Sequence, residues 1–344
     1  MTYMQDVQAN TPTRFWVNNP SREDSQSAID AGAVAVTTNP AFCAKLLETE
    51  PDHIKSIVSE VIATESDDSA AAEKIYHQAS KVLMDQWLPV YEEASGERGF
   101  VTIQEDPRRE ENPDYIVEAS KRATALGPNY MAKVPVTVEG LAVIEQLVAL
   151  NIPICATEIF AISQYRALLE IYEKASRNSG NSPTIYVTHI TGILDEYFQG
   201  VASKEKPDID PELLAKAGTI IGLREYELWQ ESSVAHRLLG GGARGLGHFT
   251  NFVGSDLDVT MNWSTIEELN ASYSAHHEGA FEEPSESEIQ ELRDKLPNFA
   301  RALDDDGVAT ESFADFGPVM LFRTQFLNGY ARLLDAIGDA RYAQ

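Results

Sequence analysis

The stretch Tyr130-Met-Ala-Lys-Val-Pro-Val-Thr-Val-Glu-Gly140 decides how the chain is read. Tyr130 to Val134 is short and apolar, the pattern of a buried strand, and Pro135 breaks it. Thr137 can cap a helix whose apolar positions Leu141, Ile144, Leu147 and Val148 recur at helical spacing. The segment is therefore one strand–turn–helix unit, and its strand carries Lys133. An unpaired ammonium is costly to bury. Burial favours the neutral amine, a nucleophile able to form a Schiff base with a carbonyl. A lysine that snorkels to the surface or pairs with a carboxylate would explain the same position, and for a lysine taken alone that reading has the better claim.

The same unit recurs along the chain. Predicted strands are Arg14–Asn18, Val34–Asn39, Phe100–Gln104, Tyr130–Val134, Ile152–Thr157, Thr184–His189, Ala235–Leu239 and Leu257–Asn262, each short and rich in apolar or β-branched residues. Helical patterns lie between them. Asn112-Pro113-Asp114 opens one with a cap, a proline at the first position and an acid in the first turn. Ala79, Leu83 and Trp87 give another its apolar face, and Phe160 to Ala175 forms a third. Eight strands alternating with helices predict an α/β fold, a (β/α)8 TIM barrel, over a doubly wound sheet. Pro51 to Glu93 holds two helices, so the β2–β3 crossover is enlarged. The chain reads as one domain over residues 1–344. Residues 278–344 add an acidic segment and C-terminal helices, with Ser285 and Glu288 at capping-box spacing and a last helix from about Val319 to Ile337.

Composition narrows the function classes. The 344 residues are 43% hydrophobic, enough for a large core. No apolar run approaches a membrane span, and the start Met1-Thr-Tyr-Met-Gln-Asp-Val lacks the basic and apolar regions of a secretory leader. Cys43 and Cys155 cannot form a disulfide framework, so a reducing, cytoplasmic setting is expected. A net charge of −27 argues against nucleic acid and anionic membranes as partners. An anionic substrate would need a local positive site. No HExxH or Cys/His spacing suggests a metal, and His276-His277 lies in an acidic loop. No cofactor is expected. The oligomeric state stays open, a homodimer included.

In such a barrel the site lies at the C-terminal ends of the strands. Those ends carry Asn18, Asn39, Gln104, Lys133, Thr157 and the Thr188-His189 pair. Each has a structural explanation by itself: Asn39 before Pro40 is a common turn, Thr157 could cap the next helix, and Gln104 could be solvated. Together they form a ring around a central lysine. After the seventh strand, Gly240-Gly-Gly-Ala-Arg244 offers backbone N–H groups around Gly242 and a guanidinium for a phosphate. Gly240, Gly242 and Gly245 also satisfy G-x-G-x-x-G, which would suggest a dinucleotide site, but the motif comes late in the chain and fits a barrel phosphate loop equally well.

Thr37-Thr-Asn-Pro40, Lys133-Val-Pro-Val-Thr-Val-Glu-Gly140, Thr157 before Phe160…Gln164, Gly240-Gly-Gly-Ala-Arg244 and Gly254-Ser-Asp256 together resemble the transaldolase family, in order and spacing from about residue 14 to 262. The resemblance implies a class I aldolase on a (β/α)8 barrel. Its lysine forms a Schiff base with a ketose, and the dihydroxyacetone unit left after C–C cleavage passes to another aldehyde, as in the pentose phosphate pathway. It implies Lys133 as nucleophile, Thr157 positioning a catalytic water, Asn39 on the dihydroxyacetone hydroxyls and Arg244 on the substrate phosphate. Thr188 and Gly242 fall on the substrate-binding strand end and turn.

The sequence departs from the family at three places. Asn18 stands where the first strand usually ends in an aspartate. Gln104 replaces a glutamate, as in the fructose-6-phosphate aldolase branch. A second phosphate arginine is missing near Gly192 or Ile193. Neither amide is an ordinary general acid or base. Under one alignment His189 takes the place of a catalytic tyrosine of the aldolase branch, and histidine transfers protons near neutral pH; a hydrogen-bonded structural histidine is the even alternative. The expected function is a transaldolase-like Schiff-base enzyme acting on a ketose or sugar phosphate. The alternatives are a fructose-6-phosphate aldolase type of lyase, a catalytically decayed sugar-phosphate binder, and a nicotinamide-dependent reductase based on the glycine motif.

Overall fold

The computed structural model describes residues 2–273 and 283–343. Its strands are β1 (Arg14–Asn18), β2 (Val36–Thr37), β3 (Val101–Ile103), β4 (Tyr130–Pro135), β5 (Ile154–Ile159), β6 (Ile185–His189), β7 (Arg237–Gly240) and β8 (Asp258–Met261). They close in sequence order, β1 to β8, as a (β/α)8 barrel. Every predicted strand is present: β1 has the predicted bounds, β4, β5 and β7 run one or two residues further at their C-terminal ends, and β2, β3, β6 and β8 are shorter than predicted. β2 shrinks to two residues, because the chain around it leaves the ladder for the Asn39–Pro40 turn.

Helices fill the connections. α1 (Tyr3–Asn10) precedes β1 and α2 (Arg22–Asp30) follows it. α3 (Phe42–Thr49), α4 (Pro51–Ile62) and α5 (Asp68–Glu93) make up the β2–β3 crossover, one helix more than the sequence reading. α6 (Pro113–Ala123), α7 (Val138–Ala149) and α8 (Ile162–Ser179) follow β3, β4 and β5. α9 (Thr191–Glu205), α10 (Pro211–Leu214) and α11 (Ala217–Glu231) lie between β6 and β7, and α12 (Gly247–Thr250) between β7 and β8. The chain ends in α13 (Trp263–Ser272), α14 (Glu286–Lys295), α15 (Pro297–Leu303) and α16 (Gly317–Tyr342). The caps act as the sequence indicates. Asn112 accepts the Tyr115 N–H at 3.0 Å and Thr137 the Gly140 N–H at 3.1 Å. Ser285 and Glu288 form a capping box. His276, His277, Glu278 and Glu282 lie outside the described residues. Among the described residues no helix is long and apolar enough to cross a membrane.

The chain divides into two compact units, residues 16–133 with 323–344 and residues 1–15 with 134–322. The first holds an aromatic and aliphatic core that includes Trp16, Trp87 and Phe100, all buried. There Trp87 Nε1 donates to the buried Ser25 hydroxyl at 2.9 Å. The second buries Phe160, Tyr165, Phe198 and Phe249. Within it, Phe198 meets Phe299 edge-on.

Candidate active site

In the 16–133 unit, parallel register aligns Asn18 with Thr37, Thr37 with Thr102, and Thr102 with Met131. Paired residues point to one face of a sheet, and side chains alternate with period two. Gln104 and Lys133 therefore share the face of Thr102 and Met131, one layer nearer the strand ends. Thr37 Oγ1 donates to Asn18 Oδ1 at 3.0 Å.

Asn39 is held by a residue the sequence reading missed. Asn19 adopts a left-handed backbone, φ 44°, which asparagine tolerates better than most residues. Its Oδ1 accepts the Asn39 N–H at 3.1 Å and its Nδ2 donates to Asn39 Oδ1 at 3.0 Å. Ala41 N–H adds a third bond, to Asn39 Oδ1 at 3.0 Å. The Asn39 oxygen is thus committed, and its Nδ2 has no protein partner among the described residues. The adjacent Asn19-Asn39 amides were signalled only by Asn-Asn-Pro, a turn former.

Lys133 is 6% exposed. Its Nζ stands 5.8 Å from the centroid of the Phe326 ring on α16, so an aromatic face borders the amine. Glu105, one residue past Gln104, supplies no inward carboxylate. Alternation turns it to the opposite face, where its Oε1 lies 3.4 Å from His77 Nε2 on α5. Burial would lower the His77 pKa; Glu105 outweighs it and raises it overall.

In the 134–322 unit, Thr188 Oγ1 meets Cys155 Sγ at 3.2 Å, which fixes the shared face of β5 and β6. Cys155 is buried with the Thr188 hydroxyl as a polar neighbour. Thr157 lies two residues further along that face. It is fully buried, and its hydroxyl has no hydrogen-bond partner among the described residues. Thr157 does not cap the next helix: α8 begins at Ile162 with Ala161 at its N-cap. The β5–β6 register shifts between Ala156 and Ile159, and Glu158 inside that bulge has φ 60°. Gln164 stabilises the bulge: its Nε2 donates to the Val136 and Glu158 carbonyls at 2.9 and 3.0 Å, and its Oε1 accepts the Phe160 N–H at 2.9 Å.

His189 is placed differently from the acid/base expectation. It follows Thr188, so it faces the opposite side of β6. Nδ1 lies 3.1 Å from Glu225 on α11, and Nε2 lies 3.1 Å from the Gly218 carbonyl. Both ring nitrogens are engaged with the helical layer, and the ring is buried. Burial alone would lower its pKa, but the Glu225 carboxylate overrides that and raises it. The geometry is that of the structural alternative.

The Gly240–Arg244 turn also departs from expectation. Gly242 has φ 66°, a conformation that glycine adopts without strain. A Cβ on Gly192 would stand 2.0 Å from the Gly242 carbonyl oxygen, so the start of α9 packs directly on the turn. The helix after the turn, α12, has only four residues, too short to add an appreciable helix dipole at a phosphate. Arg244 Nε donates to Glu196 Oε2 at 2.8 Å. The backbone N–H groups of Arg244 and Gly245 both donate to His248 Nδ1 at 3.1 Å. The Arg244–Glu196 pair spans 48 positions of sequence and no local motif announced it, whereas the bonds to His248 are local, three and four residues apart.

A family model described as Transaldolase/Fructose-6-phosphate aldolase matches residues 15–315. The chain belongs to that family. Curated transaldolases align with it at modest identity. That of Kocuria rhizophila is 27% identical over 236 residues, 63% of each chain. Those of Thiobacillus denitrificans and Mycobacterium tuberculosis are 24% and 26% identical over 236 and 235 residues. The chain spans somewhat less than two thirds of the length of these relatives. A solved 2,3-dimethylmalate lyase covers 96% of this chain and 99% of its own at TM-score 0.34 and 10% identity, a likeness too slight to carry weight. As a divergent member of the transaldolase/fructose-6-phosphate aldolase family, the chain keeps a strand-borne lysine while Asn18 and Gln104 occupy its inner register as amides. Among the described residues no group of three or more His, Cys, Asp or Glu side chains is arranged to hold a metal ion.

Proposed function

We propose that the chain is a transaldolase-like Schiff-base enzyme that cleaves or transfers a dihydroxyacetone-type unit. The observation that carries this reading is the Lys133 amine, buried on the inner face of β4 in the same layer as Gln104. Lys133 Nζ attacks the keto carbon of a ketose, and loss of water gives an imine. The imine accepts the electron pair of the C3–C4 bond as that bond breaks, the C4 hydroxyl passes its proton to water as it becomes a carbonyl, and an aldose leaves. The remaining enamine either attacks an acceptor aldehyde, whose oxygen takes up that proton, or takes the proton at carbon; in both cases water then hydrolyses the imine and frees the lysine.

Asn39 Nδ2 donates to a hydroxyl of the bound unit. The Thr157 hydroxyl, buried without a protein partner, would leave about 1–3 kcal/mol of desolvation uncompensated. A water held there offsets that cost and carries protons that the Asn18 and Gln104 amides cannot. With His189 turned to the helical layer, this water is the proton carrier of the proposal. Arg244 and Thr188 contact the far end of the substrate.

Borohydride reduction in the presence of dihydroxyacetone, fructose or fructose 6-phosphate tests the reading. Intact-mass spectrometry is expected to show one covalent adduct that Lys133→Met loses. No adduct across a broad ketose panel would overturn it and leave the non-catalytic sugar binder. Transfer and lysis are separated by whether added aldehyde acceptors speed release of the aldose.

A further inference from the structure

Four donors that a phosphate could use at the Gly240–Arg244 turn are engaged from inside the chain: Arg244 Nε and Nη1 and the N–H groups of Arg244 and Gly245. Glu196 Oε2 sits on Arg244 Nε at 2.8 Å. Arg244 Nη1 turns back to the Gly242 carbonyl at 3.2 Å. The N–H groups of Arg244 and Gly245 converge on His248 Nδ1. A ring nitrogen that accepts two N–H bonds carries no proton, so His248 bears its proton on Nε2. That nitrogen lies 2.9 Å from Asp195 Oδ2, and Asp195 Oδ1 takes the Gly218 N–H at 2.6 Å. Asp195 is buried, so the dyad fixes the imidazole. Asp195 and Glu196 are neighbours on α9, whose first turn packs against Gly242. Ile193 on the same turn is fully buried and apolar, and it adds no cation.

We propose that Glu196 is a specificity-determining residue that turns this subsite from a phosphate site into one for an uncharged sugar end. The inference rests on the Schiff-base reading above and names its substrate class: unphosphorylated ketoses. An incoming phosphate meets a carboxylate already on the guanidinium and a nitrogen lone pair already on the two N–H groups. It must displace both against a chain of net charge −27. A sugar hydroxyl both donates and accepts, so it can join the Arg244–Glu196 pair without breaking it.

The Arg244 and Glu196 side chains are 43% and 39% exposed, so the effect is that of a partly solvated pair, not a buried one. Wild type is expected to prefer fructose over fructose 6-phosphate in kcat/KM. Glu196→Gln, which keeps the shape and removes the charge, should raise the phosphorylated-to-unphosphorylated ratio by about fivefold or more, chiefly through KM, with an unchanged Tm. Glu196→Ala should move the ratio the same way. An unchanged ratio in both variants overturns the proposal. Calorimetric titration with inorganic phosphate is independent of turnover. Tighter binding to Glu196→Gln than to wild type supports the role of Glu196, and equal binding refutes it. If borohydride traps no ketose on Lys133, the aldol reading falls, while this titration still decides what Glu196 does to an anion.

Discussion

Strand-end polar residues are handled in opposite ways in the two units. Between residues 16 and 133 they are amides and one amine. Asn18 is tied to Thr37, Asn39 to Asn19, and Gln104 and Lys133 share one inner layer. Between residues 134 and 322 the inner face carries thiol and hydroxyl groups, Cys155, Thr157 and Thr188. The ionisable groups there are paired instead: His189 with Glu225, His248 with Asp195, Arg244 with Glu196. The contrast teaches that Lys133 shares its strand-end layer with neutral amides, while the buried or half-buried ionisable groups at the strand ends and turns of the other unit are matched with a partner of opposite character.

The largest expected effect attacks the neutral-polar side of that contrast. Lys133→Met should cut turnover on the order of 10³-fold or more and abolish the borohydride adduct, with Tm unchanged or higher because an apolar side chain replaces a buried amine. A variant that still forms the adduct would place the nucleophile elsewhere.

The second tests the paired charges. Glu225→Gln removes the partner of a buried histidine, and breaking a buried pair costs about 3 kcal/mol or more. Urea unfolding should report that loss while kcat stays within a few fold. The pH dependence has a definite sign. The folded pKa of His189 is raised above the ordinary 6.5. Its stabilising contribution is therefore complete below that ordinary value and fades as pH rises through the raised one. The wild-type urea midpoint should carry that decline from mildly acidic toward alkaline pH, and Glu225→Gln should flatten it. A collapse of kcat with intact stability would return His189 and Glu225 to the chemistry.

Thr157 separates stability from turnover. Thr157→Val removes a buried hydroxyl that has no hydrogen-bond partner among the described residues, so Tm should hold or rise, while kcat should fall about 10²-fold with loss of the water proposed there. Thr157→Ser should recover most of the activity. The smallest effect is expected from Asn19→Ala, which removes two bonds to Asn39. KM for the ketose should rise several fold, at about 1 kcal/mol per hydrogen bond, with little change in kcat.

Much of this was legible in the sequence. The eight strands announce themselves as short β-branched runs closed by polar or proline turns, and Lys133, Thr157 and Asn39 fall on strand ends by simple counting. His189 was legible too, had period two been applied to Thr188: consecutive strand residues cannot both face inward. α1 was not recognised because its burial pattern, Tyr3, Met4, Asp6 and Val7, is brief. Its capping box, Thr2 with Gln5, is the signal that was present. The tie of Glu196 to Arg244 and that of Asp195 to His248 depend on tertiary packing, and nothing local encodes them.

The enlarged β2–β3 crossover has a consequence for how the chain folds. α3, α4 and α5 pack on one another and are adjacent in sequence, so their contacts close short loops, and short-loop contacts form early. The insertion lengthens the path between two neighbouring strands yet supplies its own local scaffold before the β2–β3 ladder pairs. Pulse-labelling hydrogen exchange during refolding should find the amides of Ile54 to Val61 and Ala71 to Leu83 protected before those of Val101 to Ile103. The helical insert would then order first and deliver β3 to its place beside β2.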